Sequence, residues 1–569
     1  MQSGERPQAD YRLQTADYGL RRGLLVIPSA DVGASVQPAT PDQRRPSSTA
    51  FHSFLVASGI LLSRLFGLVR EGVFAYFFGQ RSDAADAFKA AFRIPNYLQN
   101  LFGEGALSAS FIPVYARLLA EDDEEEAGQV AGAVLGLLAL ALSILVLVGV
   151  VATPVFIDAI APGYEGAKRE LAITLVRVLF PGAGLLVLSA WCLGILNSHR
   201  RFLLSYSAPV IWNVAMIATL VAFGRRSDRE HLAVWLAWGS VVGSALQIAV
   251  QVPTVLRLVR RLRITASVAS RHVRTVLSNF VPVVVSRGVT QISAYIDTII
   301  SSWLGTGAMT ALFNAQTISL LPISLFGMSV SAAELPAMSS ALGDETGIAE
   351  QLRRRLDAGL QQIAFFVVPS AMALLVLGDV LSGVIYERGR FTHFDSLYLW
   401  GILAGSSIGL LASTLGRLYS STYYALRDTR TPLRFAIVRV VLTGSLGYLA
   451  AFKLTPVAGL DPRWGVAGLT ASAGLAGWVE FALLRHTLNR RIGRTGLTAS
   501  FVLRLWMAAI IAAAVAWAMK LVVAGHHPML VGTAVLAPYG VSYVAAAWLL
   551  GIPHVTGLLA RARRFLGRF

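Results

Sequence analysis

A single cysteine, Cys192, stands among 569 residues, so no intrachain disulfide framework can exist. It lies in an apolar run and is expected to be a small packing residue. Charge is scarce too: Asp, Glu, Lys and Arg make up 14% of the chain, against about 25% in soluble domains. An ordinary soluble fold is thereby excluded. The nine histidines are scattered, with no metal-ligand spacing such as H-E-x-x-H. There is no G-x-x-x-x-G-K-[ST] phosphate loop and no Ser-His-Asp arrangement. Enzymatic chemistry and a metal centre therefore have no visible seat. Residues 1–50 lack the apolar core of a secretory signal. They are polar and proline-dotted, and are expected to form a disordered cytoplasmic tail.

What the chain does have is apolar length. Hydrophobic residues make up 55% of it, and from Phe54 onward long apolar runs recur with short connections. Taken as spans of about 20 residues, they number about fourteen, which predicts an all-α polytopic membrane protein. The run 84–118 is too long and too polar for one span, and Pro95 and the Gly103-Glu104-Gly105 turn are expected to break it. The net charge of +17 sits mostly in short loops. Arg200 and Arg201 lie in one, Arg257, Arg260, Arg261 and Arg263 in the next, then Arg353 to Arg355, Arg427 and Arg430, and Arg490 and Arg491. These basic loops follow the even-numbered runs, so both termini are predicted to be cytoplasmic, and the charge needs no nucleic acid to explain it. The acidic run Glu121–Glu126 breaks this pattern and reads as a solvated loop.

The informative charges are the ones inside the apolar runs. Between Ser63 and Gly105 stand Arg64, Arg70, Glu71, Asp86, Lys89 and Arg93. A charge at mid-bilayer costs about 2.5–3.5 kcal/mol on insertion scales, so these side chains must face one another or a water-filled cavity. Most are basic, which makes an anion the natural ligand. In the seventh run, Arg287, Thr290, Gln291, Ala294, Asp297, Thr298 and Ser301 share one helical face. Such a stripe is either a cavity wall or a helix interface glued by small polar groups. Arg439 lies deep enough in the eleventh run to need a partner, whereas Arg417, Glu334 and Glu480 fit an interfacial position equally well.

The motifs themselves carry a resemblance. SRLFGLVRE, SDAADAFKAAFRIPN and LFGEGALSASFIPVY open the membrane region. IAPGY (Ile160–Tyr164), GILNSHRRF (Gly194–Phe202), RGRFTHFD (Arg388–Asp395) and YYALRDTRTPLR (Tyr423–Arg434) follow. Together they resemble the MurJ (MviN) lipid II flippases of the MOP superfamily, from about residue 53 to about 552. The resemblance implies two six-helix lobes, 51–263 and 264–495, around a central cavity. Two further helices over 496–555 would flank a groove for an isoprenyl tail, followed by a basic tail over 556–569. It also implies a monomer in the bacterial cytoplasmic membrane. Its partners would be lipid II and membrane lipids, with lipid II carried from the inner to the outer leaflet by alternating access. An exporter of another polyprenyl-pyrophosphate glycan would need the same anion site, and a non-transporting scaffold derived from the family is the reading from a different class.

Residue by residue, Arg64, Arg70 and Asp86 match charged positions the family needs, and Glu71 stands where the family has Asp. Gln99 and Thr317 stand where the family has Arg. Lys89 and Arg287 supply charge where the family has none. The implied substrate site is therefore Arg64, Arg70, Asp86, Lys89, Arg93 and Arg287, with Glu71, Asp297 and Arg439 in coupling or gating. Asp297 matches an acid that binds sodium in some members. This chain has Thr443 and Gly447 where the Asn and acid of that site belong, which argues against sodium and suggests Arg439 as the partner of Asp297. If the anion site has moved its charge in this way, Arg287→Ala abolishes complementation of a flippase-depleted cell. Normal growth of that strain contradicts it.

Overall fold

The computed structural model describes residues 46–259, 261–339, 345–555 and 557, and the side chains of all these except 46–57, 95, 104, 285–294, 336, 345 and 346. Long helices follow one another: α1 (Pro46–Phe78), α2 (Asp83–Phe102), α3 (Glu124–Val151), α4 (Gly166–Ser198), α5 (Phe202–Phe223), α6 (Arg229–Leu258) and α7 (Arg271–Ser302). Then come α8 (Ala308–Ser339), α9 (Glu345–Tyr386), α10 (His393–Ala425), α11 (Arg430–Leu449), α12 (Gly465–Ile492), α13 (Ala499–Val522) and α14 (Pro528–Leu549). Among the described residues, eleven of the helices are long and apolar enough to cross a membrane. The other three, α1, α2 and α7, are the ones that carry the charges singled out between Ser63 and Gly105 and along the seventh run. The tail expected over 1–50 lies outside the described residues up to 45, and 46–50 are already helical.

The run 84–118 breaks where glycine stands. α2 ends at Phe102, and two short helices, Glu104–Ser110 and Ile112–Ala120, replace its continuation. The helix passes through Pro95 without ending. Proline costs more in α9, where Pro369 lacks the N–H that would bond the Phe365 carbonyl. That carbonyl accepts from the Tyr543 hydroxyl of α14 at 2.6 Å, and the Pro369 carbonyl accepts from Tyr539 at 2.6 Å. In a bilayer a freed carbonyl must find such a partner, so the helix defect is what docks α14. Lys520 of α13 pairs with Asp379 of α9 at 2.6 Å beside it.

Three apolar clusters hold the bundle. One joins α1, α2, α4, α5 and α6 through Phe78, Ala87, Leu175, Leu220 and Leu236. A second joins Leu107, Val130, Trp191 and Val255 with Val273 and Val276 at the start of α7. The third runs through α8 to α14 and takes Ile300 near the end of α7. Packing thus passes from the first half of the chain to the second within α7. Cys192 is buried in the second cluster, as a packing residue should be.

Consecutive helices run in opposite directions, so the loops fall at two ends. The arginine-rich loops 199–201, 261–270 and 426–429 share one, called here the basic end. In the last of these, Arg427 adopts φ +59°, and Asp428 accepts from the N–H groups of Arg430 and Thr431 at 3.1 and 3.0 Å. Burial pushes the Asp428 carboxyl up, but hydrogen bonds from Thr431 and the Arg491 guanidinium at 2.7 Å outweigh it and hold it at about 2. The YYALRDTRTPLR motif is therefore a charged helix cap that ties α11 to α12.

Candidate functional site: an interlobe seam and a charged belt

At the opposite end the two halves of the chain are sewn together around one carboxylate. Asp86 of α2 is fully buried. Its Oδ2 accepts from the Gly307 N–H at 2.8 Å, and its Oδ1 accepts from the Thr310 N–H at 2.9 Å and the Thr310 hydroxyl at 2.6 Å. Gly307 caps the N-terminus of α8 with φ +92°. The carboxylate therefore occupies the anion seat that the orphan N–H groups and dipole of a helix N-terminus create. Lys168 of α4 donates to the same Oδ2 at 2.9 Å. Hydrogen bonds to a charged group are worth about 1.5–3 kcal/mol each, and this group accepts four.

Neighbouring contacts extend the seam. The Gln80 side chain donates to the Gly307 carbonyl at 2.9 Å and accepts from Asn314 at 3.0 Å. The Thr306 hydroxyl donates to Asp83 at 2.7 Å, and the Arg390 N–H donates to the Tyr76 carbonyl at 3.0 Å. The last contact needs glycine twice. Gly79 (φ +71°) lies against the Arg390 backbone and Gly389 (φ +61°) against Tyr76, and neither place has room for a side chain. Asp86 was expected among the substrate-binding residues. A carboxylate repels the anion that site is for, and here it is spent joining α2 to α8.

Deeper in, a belt of charge crosses α1 and α2. Glu71 accepts from Arg70 at 2.6 Å and also pairs with Lys89. Arg70 lies beside the stacked rings of Trp212 and Phe92, 5.0 and 5.6 Å from their centroids. Lys89 stands 4.4 Å from the centroid of Phe74. Aromatic faces stabilise cations by about 0.5–2 kcal/mol, so these three charges are lodged in a preformed wall. Lys89, expected at the anion, is buried and directed at Glu71, which makes it a positioning residue in this conformation. Arg93 reaches across to the second half of the chain, 5.0 Å from the ring of Phe313 in α8 and 5.6 Å from Tyr295 in α7. Arg64 lies on an exposed stretch of α1. Arg287 falls within α7, but its side chain is outside the described residues, as are those of Thr290 and Gln291.

The pairing of Arg439 with Asp297 is not what forms. Arg439 binds Glu480 of α12 at 3.1 Å, because Glu480 sits on the helix packed beside α11. Asp297 keeps one buried oxygen without a hydrogen-bond partner, and so does Thr443. Among the described residues no group of three His, Cys, Asp or Glu could hold a metal ion. The acidic run Glu121–Glu126 is not simply solvated either, since Glu125 pairs with Arg261 and Glu126 accepts from Ser270. Lys168, Thr310, Gln80 and Asn314 carried no signal in the sequence, where they are ordinary polar residues at helix ends.

A two-halved helical bundle with buried cations on α1 and α2 and a seam joining the halves at one end has the fold of solved transporter structures of the MOP superfamily. A solved structure described as a multidrug resistance MATE family transporter of that superfamily, inward-facing, matches at a TM-score of 0.60 with 19% identity, over 77% of this chain and 98% of that one. A structure described as the lipid II flippase MurJ in an inward closed conformation matches at 0.71 with 22% identity, over 87% of this chain and 98% of the other. The family model for the lipid II flippase MurJ matches residues 74–536. A lipid II flippase MurJ of Burkholderia cenocepacia is 33% identical over 451 residues, 78% of this chain and 84% of that protein. A probable lipid II flippase MurJ of Rhizobium meliloti is 32% identical over 439 residues, 76% and 79% of the two chains. The chain belongs to the lipid II flippase MurJ family.

Asp86→Asn keeps the shape of the side chain but loses its charge, and it is expected to abolish growth of a flippase-depleted strain. Asp158→Asn, at a carboxylate that is 57% exposed and pairs with Arg169 within the first half, is expected to support growth. Equal growth of the two strains contradicts the seam.

Proposed function

We propose that this chain moves lipid II, the undecaprenyl-pyrophosphate-linked disaccharide-pentapeptide, from the inner to the outer leaflet of the bacterial cytoplasmic membrane by alternating access. The observation that carries this reading is the belt on α1 and α2. Arg70, Lys89 and Arg93 stand on two adjacent helices, with Glu71 paired to the first two and Arg93 turned toward α7 and α8. The surplus of positive charge suits a pyrophosphate, and guanidinium groups grip its oxygens in pairs. With both termini cytoplasmic, the seam around Asp86 lies at the outer face and the basic end is the loading side.

On this reading the headgroup enters from the basic end and meets the belt. Release requires Asp86 to leave the N-terminus of α8, which parts the lobes at the outer face. The tail stays in lipid along α13 and α14, while the cavity shields the polar head. No covalent step, nucleic acid or second copy of the chain is required. The directing charges are Arg64, Arg70, Arg93 and Arg287, with Glu71 and Lys89 holding Arg70 in place.

The test is reconstitution into vesicles with labelled lipid II and, separately, with an undecaprenyl-pyrophosphate glycan that lacks the peptide. The expected result is protein-dependent appearance of lipid II in the opposite leaflet, lost in Arg70→Ala. Movement of the peptide-free glycan alone would assign a different cargo, and movement of neither would leave a scaffold.

A further inference from the structure

The segment 261–270, which joins the two halves of the chain, is neither helix nor strand, yet it is seated. Gly128, Gly132 and Gly136 recur every four residues along one face of α3. A methyl group on any of them would overlap the backbone of Arg261, Arg263 and Thr265 respectively. Four residues of helix rise about 6.0 Å, and two residues of extended chain span about 6.6 Å. Every second linker residue therefore meets every fourth helix residue. The groove grips main chain, so it accepts an arginine-rich linker without requiring any particular side chain from it.

The flanks of the seat are pinned by the acidic run. Arg261 pairs with Glu125, the Ser270 hydroxyl donates to Glu126 at 2.7 Å, and His272 lies 3.2 Å from the same carboxylate oxygen. Beyond the pinned turn, Val273 and Val276 of α7 join the core formed with α3 and α4. Above them the packing is looser. Leu277 and Phe280 pack on the same core but are only partly buried, Phe280 lying against Phe102. An open apolar pocket of about 110 Å³ lies between α3 and α7 there, lined by Val134, Leu138, Leu142, Leu277 and Phe280. The far end of α7 belongs to the other core through Ile300.

We infer that residues 261–270 are a strap that positions α7 and limits how far the loading side opens. Seated, the strap holds the first turns of α7 on α3. Unseated, α7 is free to swing into the space the pocket already leaves. This inference rests on the transport reading above, because only a protein whose halves separate needs such a restraint.

The test places Cys at Glu126 and Ser270 in a Cys192→Ser background and links them in membranes with a short bis-methanethiosulfonate reagent. Efficient linking is expected, with lipid II movement in vesicles stopped by the link and restored by reductant. Poor linking would overturn the seat. Movement at the same rate in linked and reduced protein would overturn the strap while leaving the transport reading intact. A reduced protein that moves no lipid II would sink the transport reading, and the strap with it. A second variant, Gly132→Leu, is expected to reduce linking in the same pair, and linking at the parent level would also overturn the seat.

Discussion

The structure depends on one buried carboxylate placed at the end of a helix that belongs to the other half of the chain. Asp86 meets the N-terminus of α8, two backbone N–H groups, one hydroxyl and one ammonium. The carboxylate is fully buried, so water does not compete for these groups. Leaving either side unpaired is costly, because a buried charge that loses its partner costs about 3–5 kcal/mol. That makes the seam strong when closed. It also makes it two-state, since the helix end and the carboxylate must each be solvated or paired again once they part. A transporter that alternates needs this kind of bistable contact.

The charged belt answers a different demand. Three cations in membrane helices would be expensive if free, and the protein holds them with one carboxylate and a set of aromatic faces. Glu71 fixes Arg70 and Lys89, while Trp212, Phe92 and Phe74 receive their charge. The belt stays net positive, and its guanidinium groups are oriented before any ligand arrives. Pre-organisation of that kind lowers the ordering cost of binding. Arg93, placed against α7 and α8, connects the belt to the same pair of helices that the seam and the strap hold.

Much of this was legible in the sequence. The all-helical membrane architecture, the glycine break after Phe102, the burial of Cys192 and the charged stretch on α1 and α2 follow from hydropathy, glycine position and the cost of intramembrane charge. Of the about fourteen expected spans, eleven are long and apolar enough to cross a membrane among the described residues. Pairing was not legible. Arg439 chose Glu480 over Asp297 because helix neighbours, not spacing along the chain, decide which charges meet. The run Glu121–Glu125 is exposed, as expected, but its pairing of Glu125 with Arg261 was hidden because that partner stands more than a hundred residues away. Asp86 was singled out as a charged position of the family it resembles, and the sequence held no sign that it would meet a helix end. The N-terminus of α8 that receives it is built from Gly307 and Thr310, which reveal nothing until the helices are placed.

The central claim is that the Asp86 contact keeps the lobes closed at the end opposite the basic loops. The direct measurement is the distance between spin labels at Glu165 and Val457, on loops of the two halves at that end, in detergent or nanodiscs. With Asp86 intact the account predicts one narrow, short distance distribution, and with Asp86→Asn a second, longer population. An unchanged distribution in the variant would contradict it.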